Sequence, residues 1–523
     1  MRTRVAVAAP NWASTDAALR VADLGGGAVD AAVAAMLVAM VNEPGIVSLA
    51  GGAYATVWPA GGAEAVTVDG YVAMPGLGRA DDAPDPVARE VRTDYGGGVT
   101  MTAGHASVAT PGALAGLDLA HREWGSLPWR EVVAPAEEVA RGGFALGPAA
   151  GYYLPYVLES LLAWDPETAV ALRRDDGAPV AVGDLMVIDG LADSLALIAQ
   201  EGALTLYAGE LARLLVSDMA DRGGLVTEQD LGAYRPVVRP ALGVRTGQWS
   251  LRTNPPPAIG GAVLAAMLTS LDKGSSGPGT AEHVGRIIEV QQQVLAFRRD
   301  RLDVVEDREG AAFDLLRDVG WQASGPPSTA HVSVVDSTGT ACAITASYGY
   351  GSGATVPGTG LWLNNCLGEL ELNRAPLRPG ERLRSNMAPT VGRHDDGAVL
   401  AIGSPGADRI TTALLQVLSA FAHGDLTLQE AVDRPRLHVA HLEDSDAAGS
   451  ARVEAEEDLP LPQTLLPELA VRRHHPRSMY FGGVAAALRS QSGQLEAAAD
   501  PRRAGAAAVT PHGMDRAEGT LRT

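Results

Sequence analysis

The chain has 523 residues, 46% of them hydrophobic but only 5% aromatic, so it can bury a large core that Ala, Val and Leu must build. Its 41 basic residues, almost all Arg, against 62 acidic ones give a net charge of -21, with no Arg run dense enough to follow a phosphate backbone. That excludes nucleic acid as an expected partner. Two cysteines, Cys342 and Cys366, are too few for a disulfide framework and are expected to be free thiols of a cytoplasmic protein.

In chain order, the apolar run before Pro10 is too short for the core of a signal peptide, and the stretch Ala31 to Val41 is about half of a membrane span. No membrane partner is expected. The segment Asp30 to Val41 is apolar on nearly every face, which predicts a helix packed on several sides. After the turn Asn42-Glu43-Pro44-Gly45, Gly51 to Trp58 reads as a strand closed by Pro59. Thr110 is the expected cap of a helix from Ala113 to Glu123, with Pro111 in its first turn, and a second helix runs from Trp129 to Arg141 and stops at Gly142-Gly143. Thr227-Glu-Gln-Asp230 offers a capping-box start, and Ala281 to Leu302 is a long helical pattern.

Composition changes at Ser324-Gly-Pro-Pro-Ser328, where consecutive prolines deny the backbone helix and ladder bonds and predict an extended, accessible segment. Residues 331–336 and 341–347 then read as a hairpin, which starts a strand at Thr329. Strands at Val399 to Ile402 and Gly482 to Leu488, a helix from Ile410 to Ala422 and a polar tail from Thr510 to Thr523 complete the pattern, with no internal repeat.

Thr329 after Pro-Pro-Ser is, on turn chemistry alone, a loop residue. Its context is more specific. Gly26 to Val33, Ala109-Thr-Pro-Gly112 with Gly116, Gly223 to Tyr234, Asn254-Pro-Pro-Pro257 with Gly260-Gly261, Thr329 to Asp336, Pro357-Gly-Thr-Gly360 with Asn364-Asn365, Ser385 to Thr390, Gly403-Ser-Pro-Gly406 and Asp500-Pro-Arg502 occur in this order. Together they resemble the γ-glutamyltranspeptidase family of N-terminal-nucleophile hydrolases over about residues 1 to 508. The resemblance implies an α/β fold, a four-layer αββα sandwich. It also implies a precursor that cuts itself between Ser328 and Thr329 into a large fragment, 1–328, and a small one, 329–523, which stay associated.

The implied chemistry is physically sensible. A hydroxyl is a poor nucleophile until a base takes its proton, and a freshly exposed α-amine, with a pKa of about 7.7 to 8, is such a base. Cleavage therefore creates nucleophile and base on one residue. The oxyanion donors of the family match Gly406 and Ala407, where the usual pattern is Gly-Gly and Ala keeps the N–H. Ser347 matches the hydroxyl that holds the amine or hydroxyl of Thr329. His331, two residues on, is read as structural, because an N-terminal Thr brings its own base. No metal-ligand spacing or phosphate-binding loop is present, so neither metal nor cofactor is expected. The Gly-Gly pairs at 51 and 260 read as close packing.

The substrate-binding pattern departs from the family. Tyr71 stands where the family has its carboxylate-binding Arg, Cys366 replaces Gln, and Glu369 replaces Asp. Ser385 and Asn386 match the two carboxylate-holding serines, and Arg382 a nearby basic position. Losing a charged hydrogen bond of about 1.5 to 3 kcal/mol lowers γ-glutamyl affinity by one to two orders of magnitude. The expected function is thus acyl transfer from a small-molecule amide to water or an amine, with an altered acyl group. Two alternatives are a C–C bond hydrolase of an actinobacterial natural-product pathway that uses the same Thr, and an unprocessed binding scaffold.

Overall fold

The computed structural model describes residues 3–510, apart from 81, 96–97, 273–276, 303–309, 313–314, 316–327, 370–371, 373–375, 425, 442–450 and 463–468. Residues 324–327 of the predicted accessible segment and all of the predicted tail beyond Thr510 lie outside these residues, whereas Ser328, the last of that segment, already pairs as strand with Gly349. Thr510 itself is no part of a tail: it is buried, and its hydroxyl accepts a hydrogen bond from the Val5 N–H at 2.8 Å.

The first elements are β1 (Val5–Ala9), α1 (Trp12–Asp23), α2 (Ala28–Asn42), β2 (Gly52–Trp58), β3 (Val66–Gly70), α3 (Ala113–Trp124) and α4 (Trp129–Gly142). Next come β4 (Val237–Pro240), β5 (Leu242–Thr246), β6 (Trp249–Thr253), α5 (Gly260–Leu271) and α6 (Ala281–Phe297). The hairpin β7 (Ser328–Asp336) and β8 (Ala341–Gly349) is followed by β9 (Thr390–His394), β10 (Val399–Gly403), α7 (Arg409–His423), β11 (Ala485–Arg489), β12 (Leu495–Ala499) and β13 (Ala506–Val509).

Two antiparallel sheets carry the fold. One has seven strands in the order β13-β1-β7-β8-β2-β3-β4, and the other six in the order β12-β11-β10-β9-β6-β5. Strand alternation assigns the faces. In β7 and β8, Val332, Val334, Cys342 and Ile344 pack with the apolar helix α2, whereas Val335, Ala341 and Ala343 meet Val391, Val399, Ala401 and Ala487 of the facing sheet. On the far side, Leu251, Leu400 and Ile402 pack under α5, α6 and α7. The layers are helix, sheet, sheet, helix, an αββα sandwich.

Several local expectations are refined. Every residue of α2 is buried, as its all-round apolarity requires. The cap of α3 is Gly112 without a side-chain bond, so neither Thr110 nor Pro111 serves as expected; the Thr110 backbone pairs with Ala73 instead. The predicted helix at 281–302 keeps α-geometry to Phe297 and then widens into a π-turn, Arg298–Leu302. Gly51 and Gly260 are indeed close approaches: a Cβ there would meet Ser347 O at 2.5 Å and Asn386 O at 2.1 Å. Among the described residues no helix is long and apolar enough to cross a membrane.

Candidate active site

Thr329 occupies the second position of β7, and the ladder is irregular there. Ser328 lies opposite Gly349 and Ala330 opposite Ala346, so Ser347 and Tyr348 together face Thr329 across a β-bulge. Alternation directs Thr329, His331 and Ser333, with Thr345 and Ser347 of β8, into the space between the sheets. The Thr329 hydroxyl is buried and has no hydrogen-bond partner among the described residues. A buried polar group left unpaired costs about 1 to 3 kcal/mol, so its retention at this position calls for a use. The Ser347 hydroxyl accepts from the Gly349 N–H at 3.1 Å, which ties it to the turn that faces Ser328.

His331 is held at both ends. Nδ1 lies 2.7 Å from Thr345 Oγ1 and Nε2 2.8 Å from Ser333 Oγ, whose hydroxyl donates to Ala485 O at 3.0 Å. Burial pulls its pKa down to about 3, so the ring is neutral near pH 7. The imidazole ties β7 to β8 within one sheet, the Ser333 hydroxyl carries the link on to the facing sheet, and the ring has no free nitrogen for proton transfer.

The segment from Ser404 to Asp408 joins β10 to α7. Gly406 has φ 127°, and a Cβ there would lie 2.7 Å from Gly482 Cα. Ala407 has φ 66°, a left-handed conformation that costs a non-Gly residue about 1 to 2 kcal/mol. Among the described residues, neither the Gly406 nor the Ala407 N–H is donated to another group. The neighbouring chain holds this strained turn: Asp408 pairs with Arg409 at 2.7 Å and His438 at 3.3 Å, and the Arg409 guanidinium sits 4.5 Å over the Tyr480 ring. Two unused N–H groups at the start of a helix are suited to receive developing negative charge.

Three of the sequence-predicted substrate positions come together. Tyr71, one residue past β3, stacks on Tyr54 with ring centroids 5.4 Å apart. Its hydroxyl interacts with the Cys366 thiol, and that thiol with the Glu369 carboxyl. All three residues are buried, and burial pushes the Tyr71 and Cys366 pKa values well up, leaving both neutral. Cys366 therefore sits between two polar groups, a more polar setting than a small hydrophobe would take.

Ser385 and Asn386 are buried as well; the Ser385 carbonyl accepts from the Ile259 and Gly260 N–H groups, and its hydroxyl accepts from the Met387 N–H. Arg382 stands differently from expectation. Its guanidinium bonds Asp69 at 3.2 Å, lies 4.4 Å from the Tyr234 ring centre, and lines a separate cavity of about 560 Å³.

Sequence reasoning missed three charged residues of this region. Arg384 is buried beside Ser385 and donates to Leu372 O at 3.3 Å. Glu43 and Arg503 are buried and share a small cavity with Thr329. The available signal was a charge inside an apolar setting: Glu43 directly follows a helix whose every residue is buried.

Comparison with known proteins identifies the family and the fold. The family model described as Gamma-glutamyltranspeptidase matches residues 14–510. The chain belongs to the γ-glutamyltranspeptidase family. Among its relatives, the Acylase ACY 1 proenzyme of Pseudomonas sp. strain SE83 is 32% identical over 445 residues, covering 79% of this chain and 78% of the relative. The Glutathione hydrolase proenzyme of Escherichia coli K12 is 28% identical over 483 residues, covering 84% and 81%. The crystal structure of cephalosporin acylase from Bacillus halodurans superposes with a TM-score of 0.77 at 22% identity, covering 97% of this chain and 96% of that one, and shares the fold. As a γ-glutamyltranspeptidase family member the chain is an N-terminal-nucleophile enzyme of the hydrolase and acyltransferase type.

Proposed function

We propose that the chain cleaves itself between Ser328 and Thr329, and that the freed Thr329 transfers an acyl group other than ordinary γ-glutamyl from an amide to water or an amine. Fragments 1–328 and 329–523 stay together because β7 is hydrogen-bonded between β1 and β8, one strand from each fragment. Thr329 Oγ1 attacks the carbonyl, the Gly406 and Ala407 N–H groups receive the oxyanion, and Ser347 holds the new amine or the hydroxyl. The observation that carries this reading is the buried, unpartnered Thr329 hydroxyl at the start of a central strand.

The altered acyl group is supported by the Tyr71–Cys366–Glu369 chain. A neutral phenol and a neutral thiol cannot replace the charge of an arginine toward an α-carboxylate, while the Glu369 carboxyl remains an acceptor for an amine or another donor. The name of the acylase relative is in line with this reading.

A denaturing gel and the mass of the small fragment test the first half: two fragments split at Thr329, and one intact band for Thr329→Ala. A screen of anilides tests the second. Acyl groups without the α-amino-acid head are expected to turn over faster than the γ-glutamyl compound, which lacks here the charged bond of about 1.5 to 3 kcal/mol that would favour it. Equal or faster γ-glutamyl turnover rejects the altered-acyl reading and leaves the cleavage reading standing.

A further inference from the structure

Glu43 caps the C-terminal end of α2, sealed from solvent. Asn11 Nδ2 donates to its Oε1 at 2.6 Å, while Oε2 has no hydrogen-bond partner among the described residues. Glu43, Thr329 and Arg503 line one cavity of about 30 Å³, bounded also by Pro405, His331 and Asp500. Each of the first three has a buried polar atom without a partner among the described residues: Glu43 Oε2, Thr329 Oγ1 and Arg503 Nε. A cavity of this size admits a water molecule, which needs two to four polar partners, and three of the residues lining it each carry an unpartnered polar atom.

In the uncut chain the Thr329 nitrogen is an amide and cannot act as a base, and both His331 nitrogens are engaged. We infer that Glu43 is the proton acceptor for cutting the Ser328–Thr329 bond, acting through a water seated in this cavity against Thr329 and Arg503. The inference rests on the self-cleavage reading above. The Thr329 Oγ1 proton passes through the water to Glu43 Oε2 as Oγ1 bonds to the Ser328 carbonyl carbon. The C–N bond then breaks, Glu43 returns the proton to the departing Thr329 nitrogen, and the Ser328 ester remains on Oγ1. A second water hydrolyses that ester to the Ser328 carboxylic acid and the free Thr329 hydroxyl.

The groups facing Glu43 are the Arg503 cation, the neutral His331 ring, the Asn11 amide, and Asp500, which is committed to Arg436 at 2.7 Å and Arg502 at 3.2 Å. Burial raises the Glu43 pKa to about 7, against the smaller opposing pull of Asn11 and Arg503. Cleavage should therefore speed up as pH rises and level off above about pH 7.

The full chain, made by cell-free translation and passed into buffers from about pH 5 to 9, is followed on denaturing gels. Wild type should show this rise and plateau, Glu43→Asp should cleave at an intermediate rate, and Glu43→Gln should slow by ~100-fold or more and lose the pH dependence. Glu43→Gln cleavage within about threefold of wild type, or slowed with an unchanged pH profile, overturns the role of Glu43. If Glu43→Gln does not fold, the wild-type profile decides, and a flat one overturns the inference. Cleavage of Thr329→Ala at the same bond sinks the self-cleavage reading itself, a separate outcome.

Discussion

Exchanging Glu43 for Gln in a Thr329→Ala chain should raise the protein's stability relative to the Glu43 chain progressively as pH rises. The Thr329→Ala background keeps both proteins in one piece. Gln retains an oxygen for the 2.6 Å bond from Asn11 and removes the ionisation, while its NH2 group in place of Oε2 adds an offset that does not vary with pH. Burial raises the carboxyl pKa from 4.5 to about 7, so the folded chain holds a proton that the unfolded chain has released between those values. For a raised pKa, the stabilisation is fully present below the unfolded value and is lost as pH rises through the folded one. The full shift corresponds to roughly 3 kcal/mol, and from about pH 5 to about pH 8.5 the advantage of Gln should grow by roughly 2.5 kcal/mol. Urea unfolding of the two proteins across this range measures the difference. Stability curves that run parallel with pH would refute the reasoning, because they would mean that Glu43 titrates alike in both states.

Ala407→Gly should relieve a left-handed strain of about 1 to 2 kcal/mol but add chain entropy of about 0.5 to 1, so its melting temperature should hold or rise slightly while turnover persists. Ala407→Val, with a branched side chain at the same φ of 66°, should lose both, as thermal melts and anilide turnover will reveal. Asp500→Asn leaves the buried Arg436 without its 2.7 Å counter-ion and should destabilise by about 3 to 5 kcal/mol in urea unfolding. Tyr71→Arg combined with Cys366→Gln should lower KM for a γ-glutamyl anilide by ~10-fold or more; an unchanged KM would remove Tyr71 from the acyl site. The His331 imidazole, its pKa near 3, should show no titration between about pH 5 and 8 in nitrogen-edited NMR spectra.

Much of this protein was legible from local pattern. The 3.6-residue and two-residue periods act within one segment, so the buried helix α2, the hairpin β7–β8 and the capping box at Thr227 could be read directly, the last with the Thr227 hydroxyl accepting from the Asp230 N–H at 3.1 Å. Thr329 could be singled out because a Pro-Pro-Ser segment meets a strand there, within an ordered set of family-like motifs. The cap of α3 departs from the local pattern because Thr110 is drawn into a backbone pairing with Ala73, a competitor 37 residues away.

What only the tertiary structure decided is which charges and hydroxyls share a space. Strand pairing brings residues 5–9 beside 506–509 and 333–336, and the two sheets then close over Glu43, Thr329 and Arg503, which lie far apart in the chain. The same closure commits Arg382 to Asp69 and links Tyr71 through Cys366 to Glu369. A residue type declares what chemistry a side chain can do. Its protonation state and partners follow from desolvation and from neighbours supplied by distant segments, and these exist only once the sandwich has closed.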